Sequence, residues 1–243
     1  MKTALVTGAS RGMGAEWVRQ LTQRGWRVVL TARSRAKAEE AATPLLAEGA
    51  KVLPRALDVS DEASIASLFR ALEGELEALD LVVNNAGVNP KDHPDPTLFR
   101  RTFELTELDP DAVTECIRTN GVMPVIVAKH ALPLLRRSTS PLVLSISSWL
   151  GSIGEKSMGG HYGYATSKAA LNMMNRAMAL QLRDAGIVAV VVNPGWVQTD
   201  MGGARATLTT EESVGGMLRN VVDRVTLVDS GKFFQWDGSE HPW

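Results

Sequence analysis

The sequence predicts an α/β fold, a doubly wound parallel sheet of about seven strands with helices on both faces. Three observations carry this. Short, near-continuous apolar runs alternate with amphipathic helical stretches along the chain. Strands covered by helices on both sides read as such runs, whereas half-solvated strands alternate with polar residues. The first apolar run passes straight into a glycine-rich turn and a helix, "TALVTGASRGMG". Finally, the 243 residues are 44% hydrophobic, enough for a substantial core in one large domain. No repeat and no second domain is visible, so residues 1–243 are read as a single domain that includes its own ligand pocket.

Thr3 to Gly8 is a β-branched apolar run that glycine ends. Gly14 to Gly25 is helical, with Trp17, Val18 and Leu21 on one face and Gly25 as the stop signal. Trp26 to Arg33 is the second strand. An Ala- and Glu-rich helix follows, then a strand within "AKVLPRALDVS", the helix "DEASIASLFRALEGEL" and the apolar strand Leu79 to Gly87. Residues Val88 to Leu108 break the rhythm with Pro, Asp and Arg. The pattern resumes after them, so they form an excursion rather than a linker. Asp109 and Pro110 pair an N-cap with proline at the first helical position. That helix is expected to run through Asn120 towards His130. Pro141 to Ser148 is the next strand, followed by a helix from "YGYATSK" to about Arg183 and the strand Ile187 to Gly195. Thr209 and Glu212 form a capping box for a helix to about Arg224, and "GKFFQWDG" closes the sheet.

Composition narrows the function. Net charge is −1 with no long basic run, which argues against nucleic-acid binding. No apolar stretch approaches the roughly 20 residues of a membrane span. "MKTALVTG" is too short for a signal peptide before its glycine, so a soluble cytoplasmic protein without membrane partners is expected. The single cysteine, Cys116, excludes an intrachain disulfide and reads as a small buried hydrophobe. No metal site is expected.

The turn "TGASRGMG" places Gly8, Gly12 and Gly14 in a TGxxxGxG spacing, with Ser10, Arg11 and Met13 between them. Glycine lets backbone approach a pyrophosphate, and the helix start offers free N–H groups and a positive dipole end. NAD-preferring sites carry an acid near the end of the second strand, for the ribose 2′-hydroxyl. Here that strand ends Thr31-Ala32-Arg33. Arg33, with Arg11 as a second cation, suits a 2′-phosphate through paired, charge-assisted hydrogen bonds. NADP(H) is therefore the expected cofactor.

These motifs recur in order with others: "NNAG" at Asn84 to Gly87, a mid-helix Asn120, a strand-end Ser148, YxxxK at Tyr164 and Lys168, and "NPGWVQT" at Asn193 to Thr199. Together they resemble the short-chain dehydrogenase/reductase family over nearly the whole chain, closest to its C-factor-like carbonyl-reductase branch. The resemblance implies a single NAD(P)-binding Rossmann-type domain that reduces a ketone or aldehyde of a small molecule, or oxidises the alcohol. It also implies self-association, as a homodimer or homotetramer, with "HPW" at the end of the sequence a candidate interface. A signalling or sensor protein of the same fold is the alternative.

Both tyrosines of the chain lie in "GHYGYATSK". Tyr164 and Lys168 stand at i and i+4, on one helix face. A nearby ammonium favours a phenolate, so Lys168 is expected to lower the Tyr164 pKa from about 10 and make it a usable general acid. Tyr162 has Thr166 at the same offset, so the spacing selects Tyr164. The resemblance implies that Ser148 bonds the substrate oxygen, with Ser147 as the alternative, that Lys168 also holds the nicotinamide ribose, and that Asn120 anchors a water. Pro124 adds a local argument: lacking an N–H, it leaves the Asn120 carbonyl free.

The resemblance further implies cofactor contacts at Asp58, Val59, Asn85, Ala86, Gly87, Pro194, Gly195, Val197 and Thr199. Asp58 in "DVSD" is equally a helix cap, and Asn84 reads as a strand-tying amide. Trp149, His161, Tyr162, Trp196 and Met201 are candidate pocket walls, alongside Ser148; each aromatic is equally a core candidate. His161 is expected to be an exposed loop residue. The segment Glu155 to Gly160 is read as a longer loop at the pocket mouth, and "DMGGARAT" (Asp200 to Thr207) as a lid or a plain loop.

Overall fold

A computed structural model describes all 243 residues, Met1 to Trp243. The strands are β1 (Thr3–Val6), β2 (Arg27–Ala32), β3 (Val52–Ala56), β4 (Leu81–Asn84), β5 (Leu142–Ile146), β6 (Val188–Asn193) and β7 (Phe233–Gln235). They form one seven-stranded sheet in the order β3-β2-β1-β4-β5-β6-β7, and every neighbouring pair is parallel. The helices are α1 (Gly12–Gln23), α2 (Arg35–Ala47), α3 (Glu62–Glu75), α4 (Thr97–Phe103), α5 (Pro110–Ile117), α6 (Met123–Leu135), α7 (Tyr162–Leu182) and α8 (Thr210–Met217).

The two-residue period of each strand sorts its side chains between two cores. Ala4 and Val6 of β1 join Val28 and Leu30 of β2 under Trp17, Val18 and Leu21 of α1 and Val214 and Met217 of α8. Leu5 and Val29 face the other way, onto Ile65, Leu68 and Phe69 of α3, Val127 and Ala131 of α6 and Met178 of α7. Pro54 is accommodated because β3 is an edge strand, where its missing N–H costs no ladder bond on the open side. Strand order reverses at β1 and β4, and such a switch point leaves a crevice at the carboxyl ends of the strands.

Three departures from the sequence reading matter for function. The expected continuous helix from Pro110 is instead α5, a π-helical turn over Arg118–Val122, and α6. In that turn the Met123 N–H bonds the Arg118 carbonyl, five residues back. Pro124, which cannot donate, stands two residues past the turn. The excursion 88–108, to which the sequence reading gave no element, contains α4 between two short 3₁₀ turns, Pro90–Asp92 and Leu105–Glu107. Likewise α8 stops at Met217 and continues as a π-helical turn, Leu218–Val222, rather than as α-helix to Arg224. The residues His241 and Trp243 fold back on Phe233 of the same chain, with ring centroids 4.6 and 5.6 Å away. No helix is long and apolar enough to cross a membrane.

Candidate active site

The glycine turn after β1 opens onto the crevice. α2, α3, α5 and α8 are capped by Ser34, Asp61, Asp109 and Thr209, whereas α1, with Arg11 at its N-cap, has no side-chain cap, as is also true of α4, α6 and α7. The first N–H groups of α1 and its positive dipole end are therefore available to an anion. A Cβ on Gly14 would sit 2.3 Å from the Gly8 carbonyl oxygen and 2.8 Å from Ala9 Cα, so only glycine brings the helix this close to the strand. Asn85 locks the turn by donating to the carbonyls of Thr7 (3.0 Å) and Gly8 (3.2 Å). The Thr7 hydroxyl accepts from the N–H groups of Asn85 and Ala86. Ser10 and Met13 are half-buried beside this knot; Gly87 is exposed.

These residues fit a dinucleotide: an uncapped helix start, a backbone cradle that a side chain would fill, and flanking cations. Arg33 is exposed at the end of β2. Asp58 is held below the usual carboxylate range, chiefly by the Ser60 hydroxyl and N–H that donate to it, with the charge of Arg33 adding to the effect. Asp61 caps α3, so the cap reading of Asp58 gives way to a turn closed on Ser60. Val59 is half-buried next to it.

Ser148, Tyr164 and Lys168 converge at the end of β5. Ser148 follows the strand and accepts from the Leu150 N–H at 3.2 Å. The adjacent Ser147 is already committed, donating to Asn172 Oδ1 at 2.6 Å, and is buried. This leaves Ser148 as the strand-end hydroxyl that faces Tyr164. A Cβ on Gly151 would lie 2.9 Å from the Lys168 backbone, so the turn after Ser148 presses directly on α7. Lys168 is 5% exposed, and its Nζ donates to the Ile146 carbonyl at 2.8 Å. Burial pushes Lys168 down to about 8.

Tyr164 corrects an expectation. Burial pushes its phenol up to about 12; the Ser148 hydroxyl opposes the rise, and the negative charge of Asp92 adds to it. The Lys168 ammonium, turned towards Ile146 and 5.7 Å from the ring centroid, does not lower it. Within the polypeptide, then, desolvation outweighs the Tyr–Lys pairing that the spacing suggested.

Asn120 sits in the π-helical turn, 1% exposed. Its side chain clamps Val88 from both sides, accepting from the N–H and donating to the carbonyl, each at 2.8 Å. It also donates to Ser167 Oγ (3.0 Å), which in turn donates to the Tyr164 carbonyl (2.7 Å). Asn84 ties β4 to the Pro124 carbonyl and to Ser145, as its strand-tying reading requires.

The segment after β6 forms the facing wall. Pro194 and Val197 are buried, with the Pro194 carbonyl accepting from Ser213 at 2.7 Å. Gly195 takes φ +79°. Thr199 accepts from the Gly202 N–H at 3.0 Å. Trp149 and Trp196 are 36% and 49% exposed, so neither is core, and Met201 and Tyr162 are half-buried. His161 is not the exposed loop residue expected. It takes a left-handed backbone (φ +58°) at the start of α7 and meets Phe103 of α4 edge-on at 4.6 Å. Phe103 also lies against Gly160, where an added Cβ would come within 2.8 Å of its ring. Cys116 is buried and its thiol is pushed up to about 11, as an inert small hydrophobe would be.

The sequence reading missed Asp92, whose charge reaches Tyr164, and Asp200, which pairs with Arg11. Neither belongs to a periodic pattern: Asp92 ends a three-residue 3₁₀ turn, and Asp200 lies in the loop after β6.

The profile of the short chain dehydrogenase family matches residues 2–209. The C-signal protein of Myxococcus xanthus is 41% identical over 165 residues, 68% of this chain and 93% of its own. A structure of NADPH-bound carbonyl reductase from chicken fatty liver is 31% identical, covers 100% of this chain and 99% of its own, and superposes with a TM-score of 0.89. The carbonyl reductase Sniffer of D. melanogaster is 29% identical with the same TM-score, each chain covered in full.

Proposed function

Since this chain belongs to the short-chain dehydrogenase family of oxidoreductases, we propose that it is an NADPH-dependent carbonyl reductase acting on a small-molecule ketone or aldehyde. The observation that carries this reading is the convergence of Ser148, Tyr164 and Lys168 beside an uncapped glycine turn. The likeness to the chicken NADPH-bound carbonyl reductase supports it.

The uncapped start of α1, with Gly8, Ser10, Gly12 and Met13, would hold the pyrophosphate through backbone N–H groups, while Arg33 and Arg11 would take the 2′-phosphate. Asp58 and Val59 would flank the adenine. Asn85, Ala86 and Gly87 would line the middle of the cleft, and Pro194, Gly195, Val197 and Thr199 the nicotinamide end. A reduced nicotinamide dinucleotide supplies, when bound, a hydride for the carbonyl carbon. Ser148 would donate to the carbonyl oxygen and fix its position. Tyr164 would pass its phenolic proton to that oxygen as negative charge develops there. A phenol held near 12 stays protonated at neutral pH, which is the form a reductase needs. Lys168, positively charged below about 8, would stabilise the tyrosinate left behind and hold the nicotinamide ribose. Asn120, its side chain spent on Val88 and Ser167, would offer its backbone carbonyl to the water that returns a proton.

A panel of aldehydes, α-diketones and cyclic ketones, followed by NADPH consumption with NADH in parallel, tests the reading. Turnover with NADPH that collapses in Tyr164→Phe supports it; turnover that survives that substitution sinks it. If Arg33→Asp leaves the NADPH-to-NADH ratio of kcat/KM unchanged, the cofactor assignment fails. The C-signal likeness favours a second reading, a cofactor-binding signalling protein. Tight NADPH binding with no turnover across the panel would favour it.

A further inference from the structure

Arg11 stands in the glycine turn, and Asp200 stands 189 positions later in the loop that follows β6. Arg11 Nη1 lies 2.5 Å from Asp200 Oδ2. Packing does not impose this pair, because the two side chains are 77% and 75% exposed. Beneath it the two segments touch: a Cβ on Gly12 would lie 3.6 Å from Thr199 Cγ2. Beyond it the loop holds itself, with Gly202 N–H donating to Thr199 Oγ1 (3.0 Å) and Trp196 Nε1 donating to the Gly202 carbonyl (2.8 Å). The ion pair is thus the charged tie between the cofactor turn and the substrate loop. Burial holds the Asp92 carboxyl above the usual carboxylate range; the Lys91 ammonium opposes the rise, Asp200 adds to it and Arg11 opposes it more weakly than Lys91 does.

We propose that Asp200 is a cofactor-selectivity residue: Asp200 and a ribose 2′-phosphate are alternative partners of the Arg11 guanidinium. This rests on Arg11 being a 2′-phosphate ligand, as proposed above. A phosphate dianion offers the guanidinium more charge and a bidentate face than a single carboxylate oxygen does, so it takes Arg11 from Asp200. A 2′-phosphorylated nucleotide then unties the loop from Asp200 to Thr207, and an unphosphorylated one leaves it tied. The pair is exposed, so the exchange is worth only a few-fold in affinity. Asp200 accordingly tempers the preference for the 2′-phosphate and couples cofactor identity to the loop carrying Met201.

The test uses the full chain and two adenine nucleotides, 2′,5′-ADP and 5′-ADP, titrated by calorimetry into wild type, Asp200→Asn and Arg11→Gln. Loop release is followed in parallel as the rate of tryptic cleavage after the exposed Arg205, identified by mass. Asp200→Asn is expected to bind 2′,5′-ADP about two- to fivefold tighter, with 5′-ADP unchanged. In wild type, 2′,5′-ADP should speed the cut after Arg205 while 5′-ADP does not. In Asp200→Asn the cut should be fast without nucleotide. If wild type and Arg11→Gln differ on 2′,5′-ADP but Asp200→Asn matches wild type, this proposal falls and the cofactor reading stands. If wild type binds both nucleotides equally, both fall.

Discussion

The face of α7 around Lys168 and the loop around Asp200 both stand at the carboxyl ends of the strands, yet they are built in opposite ways. On α7 the Ser167 and Lys168 side chains are buried and bonded to groups of other elements or of their own helix. Lys168 is enclosed and bonded to a backbone carbonyl, Gly151 lets the neighbouring turn press against it, and Asn120 spends its whole amide on two partners. At Asp200 a single exposed ion pair joins two segments that otherwise hold themselves. Groups that must meet a reacting atom gain from over-determined positions, since small misplacements cost much of the rate. Groups that admit and release a ligand need contacts weak enough to exchange.

The sharpest way to break this contrast is at Tyr164. Tyr164→Phe removes one oxygen and leaves the packing of the ring, so kcat/KM for carbonyl reduction should fall by about 10²–10⁴-fold while the melting temperature holds. A fall below tenfold would detach the chemistry from the packed face.

Next in size is the pH dependence of stability. Burial holds Lys168 at about 8 against an ordinary 10.5, a difference of about 3 kcal/mol against the folded state below pH 8. Between 8 and 10.5 the unfolded chain binds more protons, so the contribution of Lys168 makes stability rise with pH. Tyr164 works in the other direction and in a later window. Its pKa is raised from 10.0 to about 12, so its contribution is present below 10 and lost as pH climbs through 12. Lys168→Met should therefore melt with a smaller gain from pH 7.5 to 9.5 than wild type does. Parallel gains in the two proteins would show that Lys168 is not held as a desolvated ammonium. The reduction rate should also decline above about pH 8, as the ammonium beside the tyrosinate is lost.

Asn120→Ala comes third. It removes three side-chain hydrogen bonds in a buried turn and should cost about 2–3 kcal/mol in urea unfolding. A cost under about 0.5 kcal/mol, the range of ordinary surface substitutions, would mean the Val88 clamp is incidental. The smallest effect belongs to the loop: Asp200→Asn should move the melting temperature by no more than about 3 °C, because exposed pairs contribute little to folding. A larger drop would make the ion pair a structural strut and erase the difference between the two regions.

The fold was legible because its determinants are local and periodic. Apolar runs such as Val28 to Leu30 mark strands wherever helices cover both faces, and Trp17, Val18 and Leu21 show their shared face by spacing alone. The glycine turn and the Tyr164–Lys168 offset were legible for the same reason. The excursion was not, because α4 is short and is held by Phe103 against His161, a partner far along the chain. The π-helical turn at Asn120 was half legible. Pro124 announced a lost hydrogen bond, but not that the helix would widen by one residue to absorb it.

What the sequence determined by itself is what neighbours along the chain determine: where strands and helices fall, where a helix start lies bare, and which phenol shares a face with an ammonium. The tertiary structure alone decided the rest. It sent Ser147 to Asn172 and left Ser148 facing Tyr164, turned Lys168 to the Ile146 carbonyl, raised the Tyr164 phenol instead of lowering it, and gave Arg11 an acid from the far end of the chain. The physical reason is common to all four. Burial and charge act through space and add up over every group nearby, and those groups become neighbours only when the sheet has brought its strand ends together.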